Sequence, residues 1–577
     1  MHRFSSALLA IAFVLAACAP NPAPSATSPA PVAVHFPATW TRPARRAPTF
    51  AEHAMVVSNS DLASEAGVEI MKRGGNAVDA AVATGFALEV TYPAAGNIGG
   101  GGFMIIRMAD GRAAALDYRE IAPLAATRDM YVENGKLTDR SLVGALAVGV
   151  PGSVAGMAEA LRKYGTMSLH DVMQPAIRLA RDGFVVDSAL NRSLTYSATR
   201  IKQFAGGKVF YPNGAPPAVG SVFRQPDLAR TLTLIADQGP AAFYTGPIAD
   251  QIVAEMHHDG GIITKEDLAR YRPIWRDALV GTYRGYTLYT MPPSSSGGIT
   301  MLETLNQLET WPKLPDFNSA EYKHLLAETF QRAFIDRNTK LGDPAFVNVP
   351  TAELTSKAYA RKLASTIDPA HATPVPAFAT GPEPMHTTHY SVVDAHGNAV
   401  ATTTTLNGGY GSKTFVDGAG FFLNNEMDDF AAQPGKPNQF GLVQGEADAV
   451  QPGKRPLSAM SPTVVLDPKG KLFMVVGAAG GPTIITGVAQ VILNVIDQHM
   501  SLADAMYAPR MHDQAWPDAI TFERGGFTTT AADSLQHMGH HLDPTGSLTD
   551  VNALMRDARG GWVGVYEPRA TGEAAGY

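Results

Sequence analysis

The spacing of apolar and polar positions divides the chain into helical and strand-like segments. Apolar residues that recur every three to four positions predict amphipathic helices, and strict alternation predicts half-buried strands. Both patterns occur, with helices most frequent in the middle of the chain. The predicted helices are Ser60 to Arg73, an Ala-rich helix capped by Asn76, Val154 to Lys163, Leu169 to Asp182, Pro226 to Gln238, Ile248 to His258, Ser319 to Arg337 and Ile484 to Ile496.

The clearest strand signal is a hairpin that follows an irregular, Pro-rich stretch. Two alternating segments, 387–394 and 398–406, flank a three-residue loop that ends in Gly397, which is a favoured hairpin connection. Counting back in antiparallel register places Thr387 opposite Thr405. Because directly opposed side chains lie about 5 Å apart at Cβ, the two hydroxyl groups are expected to hydrogen-bond.

Thr387 is the leading candidate for a reactive residue. The preceding stretch, Thr366 to His386, has the Pro-rich, polar composition of an exposed and cleavable loop. A threonine hydroxyl is a weak nucleophile alone, but an N-terminal threonine carries its own base, because its free α-amino group has a pKa of about 8. Cleavage between His386 and Thr387 would therefore create an N-terminal nucleophile.

The start of the chain has the features of an export signal, residues 1–17. Its apolar core, Ala7 to Ala17, is too short to span a bilayer. The core ends at Cys18 in a sequence that resembles the cleavage box of bacterial lipoproteins, so we expect Cys18 to be lipidated; an ordinary signal peptide with an incidental cysteine is the alternative. Residues 18–48, rich in Pro and Ala, suit an extended tether. The residue after Cys18 is Ala19, not the aspartate that usually retains such lipoproteins in the inner membrane. We therefore expect a periplasmic protein anchored in the outer membrane rather than in the inner one.

Composition narrows the class of protein. Apolar residues make up 45% of the chain and charged residues 17%, and no long apolar run follows the signal, so a globular body is expected. The 46 Lys and Arg residues against 53 Asp and Glu residues exclude a basic nucleic-acid-binding surface. Cys18 is the single cysteine, which excludes an intramolecular disulfide and a cysteine-based metal cluster or nucleophile in the mature fold.

Two glycine-rich runs and several histidines invite chemical interpretations. Gly99 to Gly102 lacks the lysine of a phosphate-binding loop and is interpreted as a close-packed turn. Gly477 to Gly481 lies between a predicted strand and a predicted helix, where backbone N–H groups can point outward. The histidines lack acidic or cysteine partners at metal-ligand spacing, so they are interpreted as surface residues and no metal site is expected. These histidines are His257, His258, His537, His540 and His541.

Eight separated motifs occur in order between residues 51 and 577. They are Gly74-Gly75-Asn76-Ala77-Val78-Asp79-Ala80-Ala81, Gly99 to Phe103, Asp117-Tyr118-Arg119-Glu120, Met291-Pro292-Pro293, Leu341-Gly342-Asp343-Pro344, Thr387-Thr388-His389-Tyr390-Ser391, Leu423-Asn424-Asn425-Glu426-Met427-Asp428-Asp429-Phe430 and Arg455-Pro456-Leu457-Ser458. Together they resemble the γ-glutamyltransferases, also called γ-glutamyltranspeptidases or glutathione hydrolases. Several ordered motifs are far more specific than one short motif.

The resemblance implies a fold and an activity. The fold would be a four-layer αββα sandwich of the N-terminal nucleophile hydrolase type, built from a large subunit, 49–386, and a small subunit, 387–577, of one self-cleaved precursor. The resulting heterodimer would move the γ-glutamyl group of glutathione, or of another γ-glutamyl amide, to water or to the amine of an amino acid or peptide. No cofactor is implied.

The resemblance also implies individual roles. Thr387 would supply the nucleophile and the base, and Thr405 would orient its hydroxyl group. The N–H groups of Gly480 and Gly481 would stabilise the oxyanion. The other implied residues hold the donor, with Arg119 and Ser458 on its α-carboxylate, Asn407, Glu426 and Asp429 on its α-ammonium group, and Phe440 in a covering lid, Gln433 to Pro452.

Three positions depart from the family pattern. The usual Ser-Ser pair is Ser458-Ala459 here, and the lost hydrogen bond to a charged group would cost roughly 1.5 to 3 kcal/mol. Phe440 stands where a tyrosine often bonds the asparagine that matches Asn407. Thr483 replaces a frequent arginine. These departures leave open a same-fold acylase with a glutaryl, cephalosporin or poly-γ-glutamate donor.

Two other uses of the chain remain as alternatives. Glu426 and Asp429 could act as a paired general acid and base, although Thr387 already carries a base. The chain could also be an uncleaved, noncatalytic lipoprotein that binds peptides at the cell envelope. Denaturing electrophoresis distinguishes this uncleaved lipoprotein from the self-cleaving enzyme, because only the cleaved enzyme separates into two chains.

Overall fold

Two antiparallel sheets of seven strands each form the centre of the fold. The computed structural model describes residues 31–41, 43–96, 98–375 and 385–577. In spatial order, the first sheet contains the strands Glu573–Gly576, Met55–Ser58, Met385–Val393, Ala399–Gly408, Gly101–Arg107, Ala113–Asp117 and Ile274–Arg276. The second sheet contains Thr49–Ala51, Trp562–Val565, Asp550–Arg556, Leu472–Ala479, Thr463–Leu466, Tyr286–Thr290 and Leu279–Tyr283.

Helices cover the outer face of each sheet, which gives the expected four layers. On the first sheet and around it lie Asp61–Lys72, Ala77–Thr91, Ser153–Tyr164, Leu169–Asp182, Ser188–Ile201, Gly206–Phe210, Pro226–Gln238, Ala241–Tyr244, Pro247–Asp259 and Lys265–Arg270. On the second sheet and around it lie Gly297–Leu308, Ala320–Lys340, Thr351–Leu354, Lys357–Ala364, Thr483–Ile496, Leu502–Tyr507 and Thr529–His537.

Shorter elements complete the described chain. Four 3-10 helices span Asp139–Ser141, Ala145–Ala147, Glu426–Asp429 and Glu446–Asp448. Small sheets are formed by Val132–Glu133 with Lys136–Leu137, by Phe184–Val185 with Val222–Phe223, by Phe415–Val416 with Phe421–Phe422, and by Met511–His512, Ile520–Glu523 and Leu542–Thr545.

Alternation along the strands of the first sheet separates two apolar cores. Val56 and Val392 lie in the core between this sheet and its helices. Met55 and Val393, one position away on the same strands, lie in the core shared with the second sheet. Because successive side chains of a strand point to opposite faces, both faces of the strand Met385–Val393 are buried and its position is strongly fixed.

The predicted hairpin and helix caps are confirmed. Thr387 pairs with Thr405, and the N–H of Asp394 donates to the Asn398 carbonyl at 3.1 Å. Gly397 has a φ of 85°, the left-handed conformation that its position in the loop requires. Asn76 forms a capping box at the start of Ala77–Thr91, as its place before the Ala-rich segment predicted.

The described part of the predicted tether, residues 31–41 and 43–48, contacts the body of the protein. Val32 N–H donates to the His499 carbonyl at 2.8 Å, and the Trp40 indole N–H donates to the Tyr507 carbonyl at 3.2 Å. The predicted signal and the lipidation site Cys18 lie outside the described residues. Within the described part, the helices are too short or too polar to cross a membrane.

Candidate active site

Thr387 lies near the start of a central strand of the first sheet, and its side chain faces Thr405 as the register predicted. The two hydroxyl oxygens are 3.2 Å apart, and Thr387 is only 8% exposed. The Thr405 hydroxyl also accepts the N–H of Asn407 at 2.8 Å. Thr405 is therefore held by the backbone and can fix the orientation of the Thr387 hydroxyl.

A buried histidine supports the strand behind Thr387. His389 Nδ1 lies 2.8 Å from the Thr403 hydroxyl, and its Nε2 lies 3.1 Å from the Ser391 hydroxyl. Burial lowers the pKa of His389 to about 3, so the ring is neutral at physiological pH. A Cβ at Gly477 would overlap the His389 ring, which makes glycine necessary there. His389 therefore acts as a structural hydrogen-bonding residue.

Arg119 forms an ion-paired cluster with the two predicted carboxylates. Its guanidinium group donates from Nη1 to Glu426 and from Nη2 to Asp429. Its Nε donates to the Pro456 carbonyl at 3.3 Å. Glu426 and Asp429 begin and end one 3-10 turn, so their spacing aims both at one point, as predicted. Since both carboxylates are engaged by Arg119, their use as an independent acid and base pair is disfavoured.

Glu120 adds a third carboxylate to this cluster. It is fully buried, and its Oε2 lies 4.0 Å from Arg119 Nη1. Burial raises the pKa of Glu120 to about 7, although the positive charge of Arg119 opposes the shift. Burial also raises the pKa of Glu426. The cluster can therefore hold a proton near neutral pH.

Ser458 is fixed by a run of serines that the sequence analysis did not single out. Ser296 donates to the Ser458 carbonyl from its N–H at 2.8 Å and from its hydroxyl at 2.6 Å. The N–H of Ser458 donates to the Ser294 carbonyl at 3.1 Å. These serines directly follow the quoted motif Met291-Pro292-Pro293, which is the signal that could have identified them.

Arg337 is a second buried guanidinium at the site, and the sequence analysis missed its role. It lines the same cavity as Thr387 and Arg119. Its Nε donates to the Ser296 hydroxyl at 3.0 Å, and its Nη1 donates to the Gln444 side-chain oxygen at 3.0 Å. Burial lowers the pKa of Arg337 to about 10, so it remains charged. Its place at the end of a helix shortly before Leu341-Gly342-Asp343-Pro344 was the available signal.

Gln444 connects Arg337 to the carboxylate cluster. Its side-chain NH₂ donates to the Asp429 carbonyl at 2.7 Å. Gln444 belongs to the predicted lid, Gln433 to Pro452, and Phe440 of this segment lines the cavity as expected. Asn407 also lines the cavity, and its side chain donates to the Asn425 carbonyl at 3.0 Å. The lid is thus tied to the cluster through polar contacts.

Gly480 and Gly481 follow the strand Leu472–Ala479, and Gly481 lines the cavity beside Thr387. Both glycines have positive φ angles, 138° and 55°, which favours glycine over other residues. The Thr483 hydroxyl lies 2.8 Å from the carbonyl oxygens of both Gly480 and Leu548 and can donate to either. Thr483, which departs from the family pattern, therefore helps to fix this turn.

The structure places the remaining predicted residues as follows. Ser458 and Ala459 both line the cavity. The backbone of His386 precedes Thr387 in the same strand, but its side chain is outside the described residues. His257, His258, His537 and His541 are exposed, as expected, whereas His540 is half-buried, 2.7 Å from His324, which corrects its interpretation as a surface residue.

The arrangement suits acyl transfer from a zwitterionic donor. The paired hydroxyl groups of Thr387 and Thr405 and the backbone of Gly481 line the cavity. Positive and negative groups line the same cavity, where Arg119 is paired with the carboxylates of Glu426 and Asp429. Such a site can bind a group that carries both charges while a carbonyl carbon faces the nucleophile.

Comparisons with known proteins identify hydrolases, transpeptidases and acylases as relatives. The family model described as Gamma-glutamyltranspeptidase matches residues 63–577. A glutathione hydrolase proenzyme of Escherichia coli (strain K12) is 46% identical over 540 residues, covering 92% of this chain and 93% of that protein. Cephalosporin acylase from Bacillus halodurans has a TM-score of 0.82 at 28% identity, covering 94% of this chain and 99% of its own. The γ-glutamyltranspeptidase of Helicobacter pylori has a TM-score of 0.54 at 42% identity, covering 57% of this chain and 95% of its own.

Proposed function

The chain belongs to the gamma-glutamyltranspeptidase family, and we propose that it hydrolyses glutathione and transfers its γ-glutamyl group through an ester on Thr387. The observation that carries this proposal is the single cavity that joins the Thr387–Thr405 pair to the Arg119 cluster. Other γ-glutamyl amides would serve as donors. Water or the amine of an amino acid or peptide would accept the acyl group.

The reaction begins with maturation of the precursor. The Thr387 hydroxyl, oriented by Thr405, attacks the carbonyl of His386, and hydrolysis of the resulting ester releases Thr387 as an N-terminal residue. The new α-amino group lies on the same residue as the hydroxyl and takes its proton in each later turnover. Maturation therefore supplies the base that the uncleaved chain lacks.

The donor binds by replacing ion-pair partners within the cluster. Its α-carboxylate replaces one of the carboxylates that now contact Arg119, and its α-ammonium group pairs with Glu426 and Asp429. The exchange leaves every charge in this buried site with an opposite partner, which matters because an unpaired buried charge is costly. A glutaryl donor lacks the ammonium group and would leave both acidic residues without that partner. The cluster therefore favours a γ-glutamyl over a glutaryl donor.

The chemical step then takes place at the glycine turn. Thr387 attacks the γ-carbonyl carbon, and the N–H groups of Gly480 and Gly481 donate to the oxyanion that develops. Such a donor contributes about 3 to 4 kcal/mol to transition-state stabilisation where it has been measured. The leaving amine takes a proton, and water or a second amine resolves the ester.

Purified protein tests the proposal directly. Denaturing electrophoresis should separate a chain that ends at His386 from one that begins at Thr387, and N-terminal sequencing should return Thr-Thr-His-Tyr. The matured protein should release p-nitroaniline from γ-glutamyl-p-nitroanilide faster than from glutaryl-p-nitroanilide. A faster glutaryl reaction would assign the alternative acylase function, and one stable, inactive band would refute the proposal.

Restoring the missing hydroxyl group should strengthen donor binding. Ala459→Ser adds a hydroxyl at a position that lines the donor cavity. One hydrogen bond to a charged group contributes about 1.5 to 3 kcal/mol, so the KM for γ-glutamyl-p-nitroanilide should fall by roughly tenfold or more. Ala459→Val, which adds volume without a hydroxyl, is the matched control. An equal fall in KM with valine would rule out the hydrogen bond as the cause.

Arg337→Lys should weaken donor binding without abolishing cleavage. Lysine keeps the charge but cannot bond Ser296 and Gln444 together, so Gln444 of the lid loses one of the two contacts that hold its side chain beside Asp429. We expect kcat/KM to fall about 10- to 100-fold, mainly through KM. Arg361→Lys, on an exposed helical position, is the control. An unchanged KM would show that Arg337 has no part in ordering the lid.

We also propose that the protein is exported and anchored in the periplasm through lipidated Cys18. The support is the apolar core before Cys18 and the sequence at its end. Cys18→Ser should move the protein from the membrane fraction to the soluble periplasmic fraction and abolish incorporation of labelled palmitate. Activity per molecule should stay unchanged. Continued membrane association of the variant would contradict the lipid anchor.

A further inference from the structure

Two imidazole groups and one carboxylate meet on the side of the second sheet, and none of them lines the cavity beside Thr387. His324 and Glu328 are one turn apart on the helix Ala320–Lys340, and His540 follows the helix Thr529–His537. One potential ligand atom from each of the three residues lies within 4.8 Å of the others. His324 and Glu328 are buried, and His540 is half-buried.

The contacts of His324 determine which of its nitrogens can bind a metal ion. Its Nε2 lies 2.8 Å from the Asp368 carbonyl oxygen, which can only accept a hydrogen bond. Nε2 therefore carries the proton, and Nδ1 presents a lone pair. That Nδ1 faces His540 Nε2 at 2.7 Å. A histidine whose second nitrogen donates to a backbone carbonyl is oriented as metal-ligating histidines are.

The carboxylate of Glu328 is also held in place. Its Oε1 accepts the N–H of Thr373 at 2.9 Å, and its Oε2 accepts the Thr373 hydroxyl at 2.7 Å and Arg332 Nη1 at 2.6 Å. Oε1 accepts one hydrogen bond and retains a lone pair for a metal ion, whereas both lone-pair sites of Oε2 are occupied. Hydrogen-bonded carboxylates are common among metal ligands, because the outer contacts fix their orientation.

We propose that His324 Nδ1, His540 Nε2 and a Glu328 oxygen form a binding site for Zn²⁺. Two imidazoles and a carboxylate, with water in the fourth position, are a ligand set that Zn²⁺ accepts at about 2.0 to 2.2 Å. Ligands at that distance on a tetrahedral ion lie about 3.3 Å apart, so the two ring nitrogens must separate by roughly half an ångström. His540 can make this adjustment because it is half-buried and lies in a loop.

The site joins three segments that maturation distributes between two polypeptides. His324 and Glu328 precede the cleavage site, together with Asp368 and Thr373 of the segment that leads towards it, whereas His540 follows it. A bound ion would therefore link the large and the small subunit. Zinc binding itself does not depend on cleavage, but this linking role rests on the proposed function.

Zinc titration of the untagged, chelator-stripped protein tests the site. In competition with a chromophoric chelator, the full chain should bind one Zn²⁺ ion, and His324→Ala and His540→Ala should each weaken binding by about 100-fold or more. His537→Ala and His541→Ala, at exposed neighbouring positions, should stay within about twofold of the parent chain. Equal affinity in the parent chain and in His324→Ala would overturn the proposal and leave a simple histidine–histidine hydrogen bond.

Cobalt spectroscopy tests the site in the parent chain alone, so its result does not depend on whether a variant folds. Co²⁺ added to the stripped parent chain should give the intense visible absorption of a four-coordinate ion, and Zn²⁺ should displace it. Weak absorption typical of six-coordinate Co²⁺, or no displacement, would count against the site.

The linking role has a separate readout. A chelator should speed separation of the subunits in mild denaturant by severalfold in the matured parent protein, and it should have no such effect in His540→Ala. Thr387→Ala should bind Zn²⁺ as tightly as the parent chain while remaining one polypeptide. Loss of zinc binding with intact cleavage refutes the metal site alone, and zinc binding without cleavage refutes only the proposed maturation and the link.

Discussion

Thr387→Ala should leave the chain uncleaved and without measurable turnover. In the proposed mechanism, the substitution removes both the hydroxyl that attacks His386 and the nucleophile of the mature enzyme. Removing a nucleophile of this kind costs about 10⁶-fold in kcat in a serine hydrolase. Electrophoresis and p-nitroaniline release measure the two effects on one preparation. The fold should persist, because the backbone, and not the Thr387 side chain, pairs this strand with its two neighbours.

A neighbouring substitution separates chemistry from disruption of the strand. Thr388→Val removes a hydroxyl that donates to Asn59 at 3.1 Å, with a cost of about 1 kcal/mol in stability. This variant should still cleave and turn over. If Thr387→Ala matures, or if Thr388→Val is as inactive as Thr387→Ala, the assignment of Thr387 as the nucleophile is wrong.

Arg119→Met should abolish donor turnover and destabilise the protein by about 3 to 5 kcal/mol. The guanidinium group is fully buried and contacts Glu426 and Asp429, so its loss leaves two carboxylates without their cation. The donor also loses the group that binds its α-carboxylate. Thermal unfolding measures the first effect, and kcat/KM for γ-glutamyl-p-nitroanilide measures the second.

The double variant Arg119→Met/Glu426→Gln separates these two effects. Glu426→Gln removes one of the two buried carboxylate charges that Arg119→Met leaves without a cation. Part of the lost stability should therefore return, whereas activity should stay absent. Activity within about tenfold of the parent enzyme in Arg119→Met would contradict the proposed donor site. A double variant no more stable than the single one would show that the buried charge was not the cause of the instability.

Local chemistry made the pairing of Thr387 with Thr405 predictable from the sequence. The loop that ends in Gly397 admits few geometries, and the two strands beside it alternate clearly, so the pairing of Thr387 with Thr405 followed by counting. The turn that carries Glu426 and Asp429 was equally local. The roles proposed for Arg119 and Ser458 required the family resemblance, because a single arginine or serine carries no comparable signal.

Contacts between distant segments were not predictable in this way. Arg337 and Gln444 are 107 residues apart, and His324 and His540 are 216 residues apart. Their meeting depends on how helices pack on the second sheet and on a loop of the lid, which neither periodicity nor turn chemistry specifies. The interpretation of His540 as a surface residue failed for this reason, since its partners lie on a remote helix.

Because of the strand order, the cleaved protein cannot refold in the way that its precursor folds. In the first sheet, Met55–Ser58 lies between Glu573–Gly576 and Met385–Val393, so strands from before and after residue 386 alternate in space. The precursor can refold as one chain. Once the bond before Thr387 is cut, regaining the sheet requires two chains to meet, and the yield of refolding becomes dependent on protein concentration. The mature enzyme is then preserved by slow unfolding, and its working lifetime is set by a rate.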